Sequence, residues 1–330
     1  MQSQYYSAHK LDREFGQEPD FEYTGAELPA DYRSDWICEL ALENSNRITS
    51  VTEYESVYLT LESVEYIFTV CVRLRLPNEI RYLAALIFAR FMRIHTMQVL
   101  TFLKNVKLSE KRRICEWEKV EANLSRQVTL RMLSSIQIAS KTLSYHDSLS
   151  STQVCSCLRS LGFAYTQRAA LKSELRILKT LNFQLPRSPL IYSETLLKSV
   201  GSFWSHIDYK SIWEHVLLFL DVVYEAVLKA AVADNNISVP RVDIERVKAD
   251  WMLLAGGVVA AASMCVLTTE ESEQMVADLS KLSGTPSEDI TQMADSITQI
   301  TVSLASKSKS NETVKALLIP YQKQRLNEKH

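Results

Sequence analysis

The residue types that could do chemistry in this 330-residue chain are few and scattered. The most suggestive pair is His146-Asp147, because a His-Asp dipeptide with an upstream His and a distant Asp could hold a metal ion that hydrolyses phosphate esters. His95, with Asp208 or Asp221, could complete that set. However, the dipeptide falls in the loop-like stretch "SYHDSLSS", whereas metal ligands need a rigid platform and supporting hydrogen bonds. We therefore expect no metal centre.

Other catalytic patterns are weaker still. Cys155 and Cys157 lie close together, but they have neither the spacing nor the second half of a zinc site. The six cysteines are expected to be buried, reduced thiols. The adjacent Gly256 and Gly257 lie inside an apolar segment rather than in a phosphate-binding loop, and no nucleophile stands beside a recognisable base. The sequence thus predicts a protein that is not an enzyme and uses no cofactor, metal or small-molecule substrate.

Charge and hydropathy exclude two further classes of partner. The formal net charge is −2, so we expect no field that would attract nucleic acid or a membrane surface. The longest apolar run, residues 251–267, is a little short for a membrane span and is rich in Ala and Gly, which favours a buried core helix. Residues 1–30 are polar and are expected to be largely unpacked, followed by a short helix at 35–45.

Helical periodicity dominates the chain, and no stretch alternates as a strand would over any length. Five helices are predicted before Pro186, at 54–77, 78–104, 124–143, 151–163 and 166–182. Five more are predicted after it, at 188–201, 209–233, 246–267, 269–284 and 287–307. Both third helices place a Met-Leu pair ahead of small residues, as a central helix wrapped by four others would require. The expected fold is all-α, with a five-helix unit used twice.

Three positions are expected to cap these helices. Asn78 is the candidate N-cap of the second helix. Ser188-Pro189 and Thr285-Pro286 each read as a capping hydroxyl followed by a proline at the first helical position. Proline-directed phosphorylation of Ser188 or Thr285 is the alternative, since a phosphate at a helix N-terminus is tolerated.

The segment "ELRILKTLNFQLP", residues 174–186, changes period at its end, where Phe183 and Leu185 alternate with Gln184. The longer segment "YTQRAALKSELRILKTLNFQL" (165–185), with "IQIASK" (136–141) and "ARF" (89–91), resembles the cyclin box. The resemblance implies an all-α, cyclin-like fold of two consecutive five-helix boxes. Its parts would be a partly disordered N-terminal extension at 1–50, a first box at 51–186, a second, cyclin-like box at 187–308 and a tail at 309–330.

The resemblance also implies a partner site. In cyclins, a lysine after the third helix and a glutamate of the fifth contact a cyclin-dependent kinase, and the matching residues are Lys141 and Glu174. Leu178, Phe183 and Leu185 would line the groove that takes the kinase's regulatory helix. Without the resemblance, such a Lys and Glu are usually solvated and such apolar side chains are usually core, so both interpretations stay open.

The chain departs from the cyclin pattern on its first two helices. Cyclins pair an Arg of the first helix with an Asp of the second, and the matching positions are Thr60 and Ala89. Losing both is physically sensible, since one alone would leave a buried unpaired charge costing roughly 3–5 kcal/mol. The apolar substrate-docking patch of cyclins is diverged as well, and its positions carry Leu59, Glu62, Ser63 and Tyr66.

Two further segments have a function that the sequence leaves open. Residues 105–123 form a charged insertion between the second and third helices, containing "KRR" at 111–113. That triplet could be a nuclear-localisation signal or a phosphate contact, but flanking glutamates favour an exposed helix of mixed charge. The tail at 314–330 carries an apolar cluster that could dock on the second unit or serve as a partner peptide.

Two functions follow from the resemblance, and both are binding functions. The first is a kinase regulatory subunit, and the second is a scaffold that recruits recombination or clamp-loader proteins without activating a kinase. The branch of the family that shares the 173–189 segment implies a role in meiotic crossover maturation, on chromosomes in the nucleus, with the cytoplasm as an additional location. The expected partners are a cyclin-dependent kinase and meiotic crossover or clamp-loader proteins.

Overall fold

The computed structural model describes residues 30–52, 57–143, 148–201, 204, 207–233 and 241–307. His146-Asp147, the first 29 residues and the tail from 308 lie outside these ranges. All regular secondary structure in the described ranges is α-helical, which confirms the predicted fold class. The chain divides into two compact units: residues 54–188 form the first, and the second combines α1 (Ala30–Ser50) with the residues from 189 onward.

The first unit contains five helices with α4 at its centre. They are α2 (Leu61–Arg73), α3 (Asn78–Asn105), α4 (Glu110–Leu143), α5 (Ser151–Ser160) and α6 (Gln167–Thr180). Helix α4 contacts each of the other four. Its buried stretch from Leu130 to Ser140 contains four residues with small side chains, at 134, 135, 139 and 140, which allow close helix approach.

The charged insertion predicted at 105–123 is not a separate element. Most of it is the first part of α4, which runs unbroken for 34 residues. No proline or glycine interrupts 106–143, and Arg113, Val120 and Leu124 recur at helical spacing on the less exposed side. No residue of α4 before Leu130 is buried, so its N-terminal half extends beyond the core of the first unit.

Capping residues explain the other shifted boundaries. Helix α2 begins at Leu61 rather than at 54, because Thr60 and Ser63 form a capping box. Pro77, not Asn78, occupies the N-cap position of α3, and no side chain caps that end. Pro189 is the first residue of α7, as predicted, and the preceding Ser188 is buried at 1% exposure, which makes it inaccessible to a kinase in this structure.

The second unit surrounds an apolar helix. Besides α1 it contains α7 (Pro189–Gly201), α8 (Tyr209–Ala233), α9 (Arg241–Ala249), α10 (Trp251–Val266), α11 (Thr269–Ser283) and α12 (Ser287–Lys307). Helix α10 contacts α1, α7, α8, α11 and α12. It is buried along nearly its whole length, which confirms the predicted core helix. The predicted 246–267 helix is two helices, because Asp250 ends α9 and caps α10 through the Leu253 N–H.

Helix α3 is long and apolar enough to cross a membrane by length and composition. Its N-terminal half, however, is buried inside the first unit from Ile80 to Met92. The core helix of a globular domain has the same properties. The six cysteines are free; Cys71, Cys155 and Cys265 are buried as predicted, whereas Cys38 and Cys115 are exposed.

Helix α1 is twice as long as the helix predicted from the sequence. Its contacts with other helices of the second unit explain why the added length is ordered. The buried Asn44 accepts hydrogen bonds from the backbone N–H groups of Trp251 (2.8 Å) and Met252 (3.3 Å) and donates to Asp250 Oδ1 (2.8 Å). The guanidinium of Arg47 lies 3.3 Å from the ring centroid of Trp251. Asn44 therefore satisfies N-terminal donors of α10 that would otherwise be buried without partners.

We expect the Asn44→Ala substitution to destabilise the second unit by about 2 kcal/mol, since it removes a helix cap and leaves two buried N–H groups unsatisfied. Urea unfolding followed by circular dichroism measures the loss. Asn46→Ala is the matched control, because Asn46 is exposed on the same helix. Equal stability of the two variants would contradict the capping role.

Candidate partner-binding site on the first unit

The candidate site lies on α6 and at the end of α4. Thr166 caps α6 by accepting a hydrogen bond from the Ala169 N–H at 3.2 Å. One side of the helix faces the core, through Ala170, Ser173, Ile177 and Thr180. The opposite side exposes Leu171 and Leu175, and the predicted site residues Glu174 and Leu178 lie between these two sides of the helix.

Lys141 and Glu174 meet in the structure. Lys141 Nζ, in the last turn of α4, donates to Glu174 Oε1 on α6 at 2.6 Å. The lysine side chain is 42% exposed and the glutamate side chain 12%. Such a partly exposed pair contributes only about 0–1 kcal/mol to folding. The pair therefore marks a position on the surface more than it stabilises the fold.

The end of α6 presents Phe183 to solvent. A Schellman motif closes the helix: the Phe183 N–H donates to the Leu178 carbonyl at 2.8 Å, and the Asn182 N–H donates to the Lys179 carbonyl at 3.2 Å. Asn182 and Phe183 both have positive φ, of 52° and 58°. Phe183 is 63% exposed, so its ring is not part of the core. Leu178 and Leu185 are half-buried on either side of this turn in sequence.

Positive φ at Phe183 is unusual. A side chain in the left-handed region costs roughly 1–2 kcal/mol, and Asn or Gly tolerates the region far better than Phe. Residues in such strained conformations cluster at functional sites. The combination of backbone strain and an exposed aromatic ring at one residue therefore distinguishes Phe183 from an ordinary surface position.

Part of this surface was not predicted from the sequence. Leu175 is 46% exposed, and Leu171, one turn earlier, is 49% exposed. Their neighbours Ile177 and Leu181 are buried. The signal was available, because Leu171 and Leu175 are out of phase with the small core-facing residues Ala170 and Ser173.

A group of cations lies beside the core-facing side of α6. Arg131 on α4 donates to Ser173 Oγ at 2.8 Å and to Gln127 Oε1 at 2.7 Å. Burial, and then the nearby Arg176, lower the pKa of Arg131. His95 stacks on Phe91 with ring centroids 5.3 Å apart. Burial, Arg176 and Arg131 lower the pKa of His95 below 6.5, in that order of size.

The low pKa of His95 has a testable consequence. The folded state binds fewer protons than the unfolded state between the folded pKa and 6.5, so stability is lost as pH falls below about 6.5. We expect Arg176→Gln to raise the pKa of His95, measured by NMR titration of its ring protons. Arg168→Gln, on the same helix but not among the charges acting on His95, is the control. An unchanged pKa in the Arg176 variant would contradict the charge coupling.

The diverged docking patch does not form one surface. We expected Leu59, Glu62, Ser63 and Tyr66 on the first helix, but Leu59 precedes α2. Ser63 is buried; its hydroxyl donates to the Thr60 carbonyl at 2.8 Å, and its oxygen accepts from the Thr60 N–H at 3.1 Å. Glu62 is exposed and Tyr66 is half-buried. The serine thus serves the helix cap and cannot contact a substrate peptide.

The lost Arg–Asp pair is replaced by short side chains. Thr60 is the N-cap of α2, and Ala89 is buried in α3 at 5% exposure. Neither position holds a charge that would need a partner. In the described ranges, no group of three or more His, Cys, Asp or Glu side chains is arranged to hold a metal ion. His95 lies among arginines, and both members of the His146-Asp147 pair lie outside those ranges.

Comparison with known proteins finds two similar sequences. No protein-family model matches the sequence. The chain is 28% identical over 260 residues to human (Homo sapiens) cyclin N-terminal domain-containing protein 1, covering 76% of this chain and 78% of the human one. The mouse (Mus musculus) protein of the same name is 28% identical over 273 residues, covering 79% and 80%. The chain is thus similar to these two cyclin N-terminal domain-containing proteins over about three quarters of its length.

Proposed function

We propose that this cyclin-like protein binds a cyclin-dependent kinase through its first unit and thereby promotes meiotic crossover maturation in the nucleus. It works by binding, not as an enzyme. The observation that carries the proposal is the Lys141–Glu174 ion pair between α4 and α6, together with the exposed Phe183 in the turn that closes α6. An apolar anchor beside a charged pair suits the docking of an amphipathic helix.

The physical role of such a contact is a population shift. A kinase whose regulatory helix moves between inactive and active positions is activated by any partner that binds the active position more tightly. Phe183, Leu178 and Leu185 supply apolar contact area, and the Lys141–Glu174 pair supplies the polar contacts that fix register. The similarity to the two cyclin N-terminal domain-containing proteins supports a cyclin-like binding role, and the meiotic setting is part of the proposal.

A charge swap tests the proposal. The double variant Lys141→Glu with Glu174→Lys keeps the internal ion pair and reverses the charges that a partner meets. We expect purified wild-type protein to retain at least one member of a panel of cyclin-dependent kinases in a pull-down, and the swap to abolish that retention. Swapping Lys198 and Glu194, an exposed pair on α7, is the matched control. Retention of no kinase by folded protein would overturn the proposal.

A second function is supported by a different observation. Helix α4 extends beyond the core, with no buried residue between 110 and 129, and Thr60 and Ala89 lack the charges of typical cyclins. A scaffold that recruits recombination or clamp-loader proteins would use such an added surface without activating a kinase. A pull-down with the purified protein would test this function. It would be favoured if recombination or clamp-loader proteins are recovered, if deletion of residues 110–123 abolishes that recovery, and if the Lys141–Glu174 charge swap leaves it unchanged.

A further inference from the structure

The outer face of α6 carries a row of leucines. Leu171, Leu175 and Leu178 follow one another at spacings of four and three residues, on the side opposite the core-facing Ile177. The first two are 49% and 46% exposed. A folded helix gains nothing from leaving such side chains in water, so a contiguous apolar row is typical of an interaction site.

A row of cations lies along one edge of these leucines. Arg168, Lys172, Arg176 and Lys179 recur at spacings of four, four and three residues, and all four are exposed. In the described part of the chain none of them forms an ion pair. The other edge of the leucine row holds Glu174, whose carboxylate is taken by Lys141. The leucines are therefore bordered on one side by cations that have no acidic partner among the described residues, and on the other side by the Lys141–Glu174 ion pair.

We propose that this outer face takes an amphipathic helix of a partner protein whose apolar side chains are bordered by Asp or Glu. Charge complementarity argues for the acidic border, since the row from Arg168 to Lys179 has no counter-charge within the described residues. The face spans twelve residues, about 18 Å of helix, which matches three turns of a docked helix. Nucleic acid fits less well, because bases stack on aromatic rings rather than on leucines.

This inference rests on the proposed function, since it names the chemistry of the segment that the same helix receives. It also assigns the choice of partner segment to residues other than the Lys141–Glu174 pair and Phe183. Leu171 and Leu175 provide area, whereas Arg168, Lys172 and Lys179 select for an acidic partner segment. Rim charges of this kind act mainly on association rate and on salt dependence.

Two synthetic peptides test the inference. Both are fluorescein-labelled 20-residue helices with leucines at the same spacing; one has glutamates and the other lysines beside the leucines. By anisotropy we expect the full-length protein to bind the glutamate peptide at least tenfold more tightly, with a preference that shrinks as salt rises. The Arg168→Glu, Lys172→Glu, Lys179→Glu variant should reverse the preference, and Leu171→Ser with Leu175→Ser should abolish binding of the glutamate peptide.

The control variant is Lys104→Glu, Arg112→Glu, Arg159→Glu, which makes the same charge change at exposed positions of α3, α4 and α5 and should keep the preference. Equal binding of the two peptides, binding of neither, or a preference that survives reversal of the α6 cations would overturn the inference. So would tighter binding to duplex DNA or to phosphatidylserine vesicles. Peptide binding without kinase retention would reject the proposed function and leave the inference standing.

Discussion

Gly257→Ala is expected to destabilise the second unit, although alanine is the better helix former by about 1 kcal/mol. A Cβ at Gly257 would lie 2.7 Å from the Cβ of Met293 on α12, closer than real carbon atoms approach. The conflict involves the base of the Met293 side chain, which cannot swing away without moving the backbone. Overpacking of this kind costs about 1–3 kcal/mol, so we expect a net loss of about 1–2 kcal/mol and a larger one for Gly257→Val.

The neighbouring glycine is a matched control. A Cβ at Gly256 would meet Ile290 at 3.4 Å and beyond, which is ordinary contact. Gly256→Ala should therefore leave the unfolding free energy unchanged or raise it by up to about 1 kcal/mol. Guanidinium unfolding of both variants beside wild type measures the difference. Equal stability of Gly257→Ala and Gly256→Ala would contradict the close approach of α10 and α12 at Gly257.

Phe183→Gly should separate stability from binding. Glycine adopts positive φ without penalty, so the variant is expected to be as stable as wild type or more stable by up to about 1 kcal/mol. At the same time it removes the exposed ring. Aromatic anchors at interfaces commonly contribute at least about 2 kcal/mol, so kinase binding should weaken about thirtyfold or more. Isothermal titration calorimetry and thermal unfolding on the same preparation give both numbers.

Phe163 provides the control for this prediction. It follows the Schellman motif of α5 as Phe183 follows that of α6, since its N–H donates to the Leu158 carbonyl at 2.8 Å. It is 37% exposed and precedes the N-terminal end of α6, whereas Phe183 follows the C-terminal end of that helix. Phe163→Ala should leave kinase affinity within about twofold. A Phe183 variant that loses stability and keeps affinity would show that the ring supports the fold instead.

The helices could be predicted because each element carries its own periodicity, and the core helix α10 was evident from its run of Ala, Gly and Val. The boundaries were harder, since local capping decides them. Asp250 splits one predicted helix in two, and Thr60 with Ser63 delays the start of α2 by seven residues. Helix α1 was underestimated because Asn44 stabilises it only through contacts 206–208 residues away in sequence.

The candidate site, too, could be predicted only in part. Lys141 and Glu174 are 33 residues apart, so no local pattern could pair them, and only the family resemblance did. The exposure of Phe183 could not be foreseen, because its positive φ depends on how the turn at Asn182 closes. The leucine row could have been found from phase alone, since Leu171 and Leu175 alternate with residues that face the core.

Photo-crosslinking from position 183 tests the central claim most directly. With p-benzoyl-phenylalanine in place of Phe183, the protein is mixed with each purified cyclin-dependent kinase and irradiated, and adducts are mapped by mass spectrometry. We predict an adduct with at least one kinase, at its regulatory helix, and none when the same group replaces Phe163. No adduct from position 183 with any kinase, or equal adducts from both positions, would contradict the assignment of the α6 end as the kinase-binding site.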